Sequence, residues 1–145
     1  MANKATVRIE GMNDLERKLR RMTDRTQGRI LREAVQKGAD AVRDVAESLA
    51  PRAPGSGTRG FHGAENVISE VAIDKPMHVV VHVGARRGRG VPWRESAFWL
   101  DIQETGSMYM AAQPWLTPAF DAERAHAERV VADEIKRAVL GASRG

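Results

Sequence analysis

The chain contains no cysteine, which excludes a disulfide framework, a thiolate metal site and a cysteine nucleophile and fits synthesis in a reducing cytosol. No stretch approaches the roughly 20 apolar residues that cross a bilayer. The opening Met1-Ala2-Asn3-Lys4-Ala5-Thr6 has no apolar signal core, so neither membrane insertion nor export is expected. Catalytic signatures are also missing. No Gly-x-Ser-x-Gly elbow on a strand-to-helix turn and no His-Glu-x-x-His pair places a nucleophile or a metal. The expectation is a non-enzymatic protein without a cofactor, and no internal repeat divides it.

What is present suits one compact domain. The 145 residues are 42% hydrophobic and 29% charged, enough to bury a core and far from the profile of disorder. A net charge of +4 with a pI near 10.0 favours contact with nucleic acid or an acidic protein surface. The tilt is mild, because 23 basic residues face 19 acidic ones, with both kinds spread along the chain.

Apolar spacing sets out the elements. Val7 and Ile9 alternate with polar neighbours over Thr6 to Glu10, predicting a first short strand. Asn13 with Glu16 resembles a capping box, and Leu15, Leu19 and Met22 then recur at helical spacing, with Arg17, Lys18, Arg20 and Arg21 outward. From Thr26 to Ala50, Leu31, Ala34, Val35, Gly38, Ala41, Val42, Val45 and Leu49 trace one helical face. Its small residues permit close packing, and Pro51 ends it.

The proline- and glycine-rich stretch from Pro51 to His62 reads as a loop. Val67, Val71 and Ile73 alternate toward a turn at Asp74-Lys75-Pro76, and Met77, Val79, Val81 and Val83 alternate beyond it, predicting two antiparallel strands. A second loop, spanning residues 85–96, carries Arg86, Arg87 and Arg89 among glycines. The apolar segment from Ala97 to Glu104 is too short for its period to choose between strand and helical turn, and Thr105-Gly106-Ser107 breaks it. A last helix follows, with Thr117 at its cap, Pro118 at its first position and Phe120, Ala127, Val131, Ile135 and Val139 as its stripe, ending before Gly141. The fold expected is α+β: an antiparallel sheet of three to four strands packed against two long helices and one short one.

Most candidate chemistry fails on context. Gly55-Ser56-Gly57-Thr58-Arg59-Gly60 spells a dinucleotide fingerprint, but it follows a helix and sits among prolines instead of opening a helix after a strand. His78 and His82 stand about 13 Å apart on a strand rising ~3.3 Å per residue, too far for one ion. The basic face at Arg17, Lys18, Arg20 and Arg21 is interleaved with Asp14, Glu16 and Asp24 and reads as a solvated helix face before it reads as a phosphate grip. Arg86, Arg87 and Arg89 are better placed to reach phosphate or a neighbouring subunit's carboxylates, and subunit contact is preferred. Trp93, Phe98, Trp99, Tyr109 and Trp115 gather just before the last helix; core packing suffices for them, while Trp93 and Trp99 are candidate interface anchors.

Three stretches resemble the tail-completion or neck proteins of long-tailed bacteriophages. One is Val7-Arg8-Ile9-Glu10-Gly11-Met12-Asn13-Asp14-Leu15, similar to that family's short strand, glycine and helix start. Another is Ala46-Glu47-Ser48-Leu49-Ala50-Pro51 and the loop after it. The strongest runs from Ile102 to Phe120, with Glu104, Gly106, Pro114, Trp115, Pro118 and Phe120 matching an acidic residue, a glycine and an Ala-x-Pro-Phe-like entry into the last helix. Thr105 stands where the family has an aromatic, and Trp115 where it has phenylalanine. The resemblance implies a homo-oligomeric ring in the neck of the virion, assembled in the host cytoplasm against head-connector or stopper proteins and tail-terminator or tail-tube proteins. It also implies passive contact with DNA in the channel, no membrane and no catalysis. A tail-terminator ring, or a small basic nucleic-acid-binding protein using the arginine loop, are the competing readings.

Overall fold

The computed structural model describes residues 13–51, 67–86 and 98–142. In chain order they form α1 (Asn13–Arg20), α2 (Asp24–Leu49), β1 (Val67–Lys75), β2 (His78–Ala85), α3 (Phe98–Thr105) and α4 (Leu116–Ala142). The class is α+β, as expected, but helices dominate, and the sheet among the described residues has two antiparallel strands. The strand expected over Thr6–Glu10 lies outside the described residues. The undecided segment before Thr105 is helix α3 and adds nothing to the sheet.

Helix α2 begins where its chemistry says it should. Thr23 has extended dihedrals, and its hydroxyl accepts from the Thr26 N–H at 3.4 Å, the arrangement by which threonine caps a helix start. Buried Gln27 donates to the Leu19 carbonyl at 3.0 Å, which ties the end of α1 to the first turn of α2. At the other end the Ala50 N–H closes on the Ala46 carbonyl at 2.8 Å before Pro51 stops the helix.

The two long helices run antiparallel. Ile30 and Ala34 near the start of α2 share one core with Ile135 and Val139 near the end of α4, and Leu19 of α1 completes it. Ala46 and Ala50 at the far end of α2 share a second core with Ala119 and Trp115 at the start of α4, joined by Val67 of β1 and Leu100 of α3. Between the cores the helices meet at Gly38, where a Cβ would fall 2.5 Å from Val131 Cγ2 and 3.1 Å from the Ala127 carbonyl oxygen. The small residues on the α2 stripe therefore have a partner, the Ala127–Val131 face of α4. Gly38→Ala should destabilise the fold by about 1–2 kcal/mol, because overpacking against a rotamer-restricted valine outweighs the ~1 kcal/mol of helix propensity that alanine returns. A chemical denaturation midpoint that rises in the variant would refute the close crossing.

The hairpin packs on α2 through polar as well as apolar contacts. Ser69 donates to Asp40 at 2.6 Å and accepts from Gln36 at 2.8 Å, and Arg32 pairs with Asp74 at 2.9 Å. The turn sits two residues later than the sequence suggests, on Pro76 and Met77 between the paired Lys75 and His78. Met77 takes φ +56°, the left-handed conformation of the second central position of a type II turn, with proline at the first, and its side chain lies against the Leu19–Ile30 core. A bulge between Val71 and Ile73 shifts the pairing from Val71–Val81 to Ile73–Val80. The extra residue is Ala72 on β1, so Val71 and Ile73, two residues apart, pair with successive residues of β2.

Candidate functional site

The residues from Glu104 to Phe120 fold into a knot at the end of the molecule where α3 meets the start of α4. Helix α3 ends because Gly106 takes φ +76° while its N–H closes on the Ile102 carbonyl at 2.7 Å. A Cβ there would lie 2.8 Å from the Ala112 nitrogen, so backbone conformation and space both demand glycine. The chain then turns back on itself. Ser107 and Met110 exchange backbone hydrogen bonds of 2.9 and 3.3 Å, the Ser107 hydroxyl accepts from the Tyr109 N–H at 3.2 Å, and the Gln113 N–H reaches the Gln103 carbonyl at 2.7 Å.

Glu104 locks this return. One carboxylate oxygen accepts from the Trp115 and Leu116 N–H groups at 2.6 and 2.8 Å; the other accepts from the Thr117 N–H at 3.0 Å and the Thr117 hydroxyl at 2.5 Å. A helix leaves its first four N–H groups without intrahelical partners. In α4 three of them go to Glu104, and the fourth does not exist because position 118 is proline. A carboxylate from α3 therefore caps α4, with its negative charge on the positive end of the helix dipole. Burial opposes the charge, but the Thr117 hydroxyl and the Leu116, Trp115 and Thr117 N–H groups outweigh it and hold the carboxyl below its ordinary range. Thr117, expected at the cap, is instead the second helical residue, since α4 starts at Leu116.

Trp115 is 1% exposed, with its indole N–H donating to the Leu100 carbonyl at 2.9 Å. The same knot pushes two large side chains the other way. Met108 and Tyr109, at the tip of the Ser107–Met110 turn, are 87% and 90% exposed, and Ile102 on α3 and Leu49 at the end of α2 are also exposed. An apolar tip on a turn held by this many hydrogen bonds is a preorganised projection, the kind of feature that anchors a protein contact at low entropic cost.

The chain matches no protein-family model, no curated protein and no solved structure. Among the described residues, no group of three or more His, Asp or Glu is placed to hold a metal, and no helix is long and apolar enough to cross a membrane. Exposed His78 and His82 stand on β2.

Of the residues singled out from the sequence, Glu104, Gly106 and Trp115 are brought together in the knot. Pro114 and Pro118 flank its exposed side, and Phe120 is half-buried one turn into α4. Arg86 is exposed just past β2. Arg87, Arg89 and Trp93 lie outside the described residues, as do the side chains of Phe98 and Trp99. The aromatic group divides: Trp115 is core, and Tyr109 faces solvent. Sequence reasoning misses Met108, whose only signal is its place between a helix-ending glycine and a proline-led helix start.

Proposed function

We propose that this chain is a non-enzymatic structural protein of a long-tailed bacteriophage, a tail-completion component of the neck that joins the tail to the head connector. The observation that carries the reading is the knot. The residues of the resembling motif are given over to rigidity, with Glu104 capping α4, Gly106 turning the chain and Trp115 filling the core, and what they hold out is an apolar Met108–Tyr109 tip. That is the logic of an assembly element and not of a reaction centre.

In this reading copies of the chain close into a ring through heterologous contacts, meeting a connector or stopper ring on one side and tail-terminator or tail-tube proteins on the other. Arg86, Arg87 and Arg89 reach a neighbouring subunit; the loops expected at residues 51–62 and 85–96 lie almost wholly outside the described residues. The two described strands leave sheet edges that a third strand over Thr6–Glu10 would cover, bringing the sheet toward three or four strands. The protein needs no cofactor, works in the virion and assembles in the host cytoplasm.

Electron microscopy of particles from a phage with a nonsense mutation in this gene tests the role. DNA-filled heads beside free tails of normal length are expected, and Tyr109→Ser should reproduce that defect in a chain that still folds. Abnormally long tails would assign the protein to tail termination, and normal infectious virions would end the structural reading.

A further inference from the structure

Charges of both signs are spread along this chain, and among the described residues one segment carries a clear basic excess. Between Asn13 and Arg32 lie seven basic and three acidic residues; the remainder of the chain holds sixteen of each. The segment of α1, its turn and the start of α2 thus carries a net +4 by itself, at the end of the molecule away from the Met108–Tyr109 tip. Part of this charge is used by the fold. Arg17 pairs with Asp14, Arg20 with Glu16 and Arg32 with Asp74.

Lys18, Arg21, Arg25 and Arg29 are exposed and form no ion pair among the described residues. Arg25 and Arg29 are four residues apart, so they share one stripe of α2, on the side away from buried Ile30, Ala34 and Gly38. Lys18 and Arg21 stand at the end of α1 and in the turn after it, which the Gln27–Leu19 hydrogen bond and a connection of only three residues tie to the start of α2. Helix stability accounts for Lys18, in the last turn of α1, but not for Arg25, which opposes the dipole at the start of α2. Four free cations on a rigid two-helix corner, with no partner among the described residues, match the spacing-tolerant, sequence-independent demands of a phosphate backbone.

We infer that this α1–α2 corner binds the backbone of double-stranded nucleic acid without reading its sequence. The inference rests on charge placement alone and concerns the isolated chain, whatever its role in assembly. Neutralising four phosphates gives a slope of log affinity against log salt of about −3.6, an affinity falling about 150-fold between 50 and 200 mM salt.

Fluorescence anisotropy of two unrelated duplexes of ~20 base pairs, titrated with the full chain, provides the test. Equal affinity for both duplexes and that salt slope are expected. The variant with Lys18→Gln, Arg21→Gln, Arg25→Gln and Arg29→Gln should bind at least tenfold more weakly at low salt while keeping its melting temperature, since glutamine is as good a helix former and all four sites are exposed. A second variant, with Arg86→Gln, Arg87→Gln and Arg89→Gln, should bind as the unaltered chain does. Undiminished binding by the four-site variant, loss confined to the loop variant, or equally tight binding of polyglutamate would each overturn the assignment.

Discussion

Replacing Trp115 by alanine is expected to remove about 3–5 kcal/mol of folding stability, the range for emptying a buried aromatic site. The indole is the largest side chain in the core that joins α2, β1, α3 and α4. Its loss leaves a cavity at a place where four elements meet and none can collapse independently. It also strands the Leu100 carbonyl, which accepts the indole N–H, and a buried acceptor without its donor carries its own cost. For a chain of this length the melting temperature should fall by about 10–20 °C. Trp115→Phe keeps most of the volume and loses the N–H, so it should cost about 1–2 kcal/mol. Urea denaturation of both variants decides the matter. An alanine variant within about 1 kcal/mol of the unaltered chain, far below the usual loss for such a truncation, would mean that Trp115 is not the keystone of that core. Equal losses in the two variants would assign the effect to the hydrogen bond and not to packing.

The core is largely legible in the sequence and the knot is not, for a physical reason. Ala34, Gly38 and Val42, or Ala127, Ile135 and Val139, announce themselves because burial repeats with the helical period, whereas Ile30 and Ala46 enter the core from one position beside the traced face, and Leu49 on that face is exposed. Even Gly38 can be read as a point of close approach, since its lone signal is the absence of a side chain on an apolar stripe. The hairpin is visible too, but the sequence points to a turn that is too early: Pro76 followed by Met77 lacks the asparagine or glycine that marks a left-handed position, and tertiary packing of Met77 decides the outcome instead. The segment containing Phe98 and Leu100 is ambiguous because eight residues hold barely two helical turns. Contacts that join residues eleven to thirteen apart, such as Glu104 to the start of α4, obey no period at all. Glu104 can be named from the motif, but nothing in the chain says that its carboxylate takes the place of a local cap.

Glu104→Ala should destabilise the protein by about 2–4 kcal/mol, because three N–H groups at the start of a 27-residue helix lose a charged acceptor together. Glu104→Gln should cost about 1–3 kcal/mol: the amide keeps one acceptor oxygen and turns an NH2 donor toward groups that are themselves donors. The carboxyl is held below its ordinary range in the folded protein, so its contribution is complete above the unfolded value of roughly 4.3 and is lost as the pH falls through that value and the lower folded one. Glu134, held down by its hydrogen bonds to Lys37 and Arg137, acts in the same direction, so the Glu104→Gln variant should retain some sensitivity to acid. Urea denaturation at neutral pH and near pH 3 separates the two. The gap between the unaltered chain and Glu104→Gln should be widest at neutral pH and shrink toward acid, as both come to present an uncharged group to α4. A gap that persists undiminished near pH 3 would mean that shape and not charge holds the knot, and the rigid presentation of Met108 and Tyr109 would then rest on Gly106 and the Ser107–Met110 turn alone.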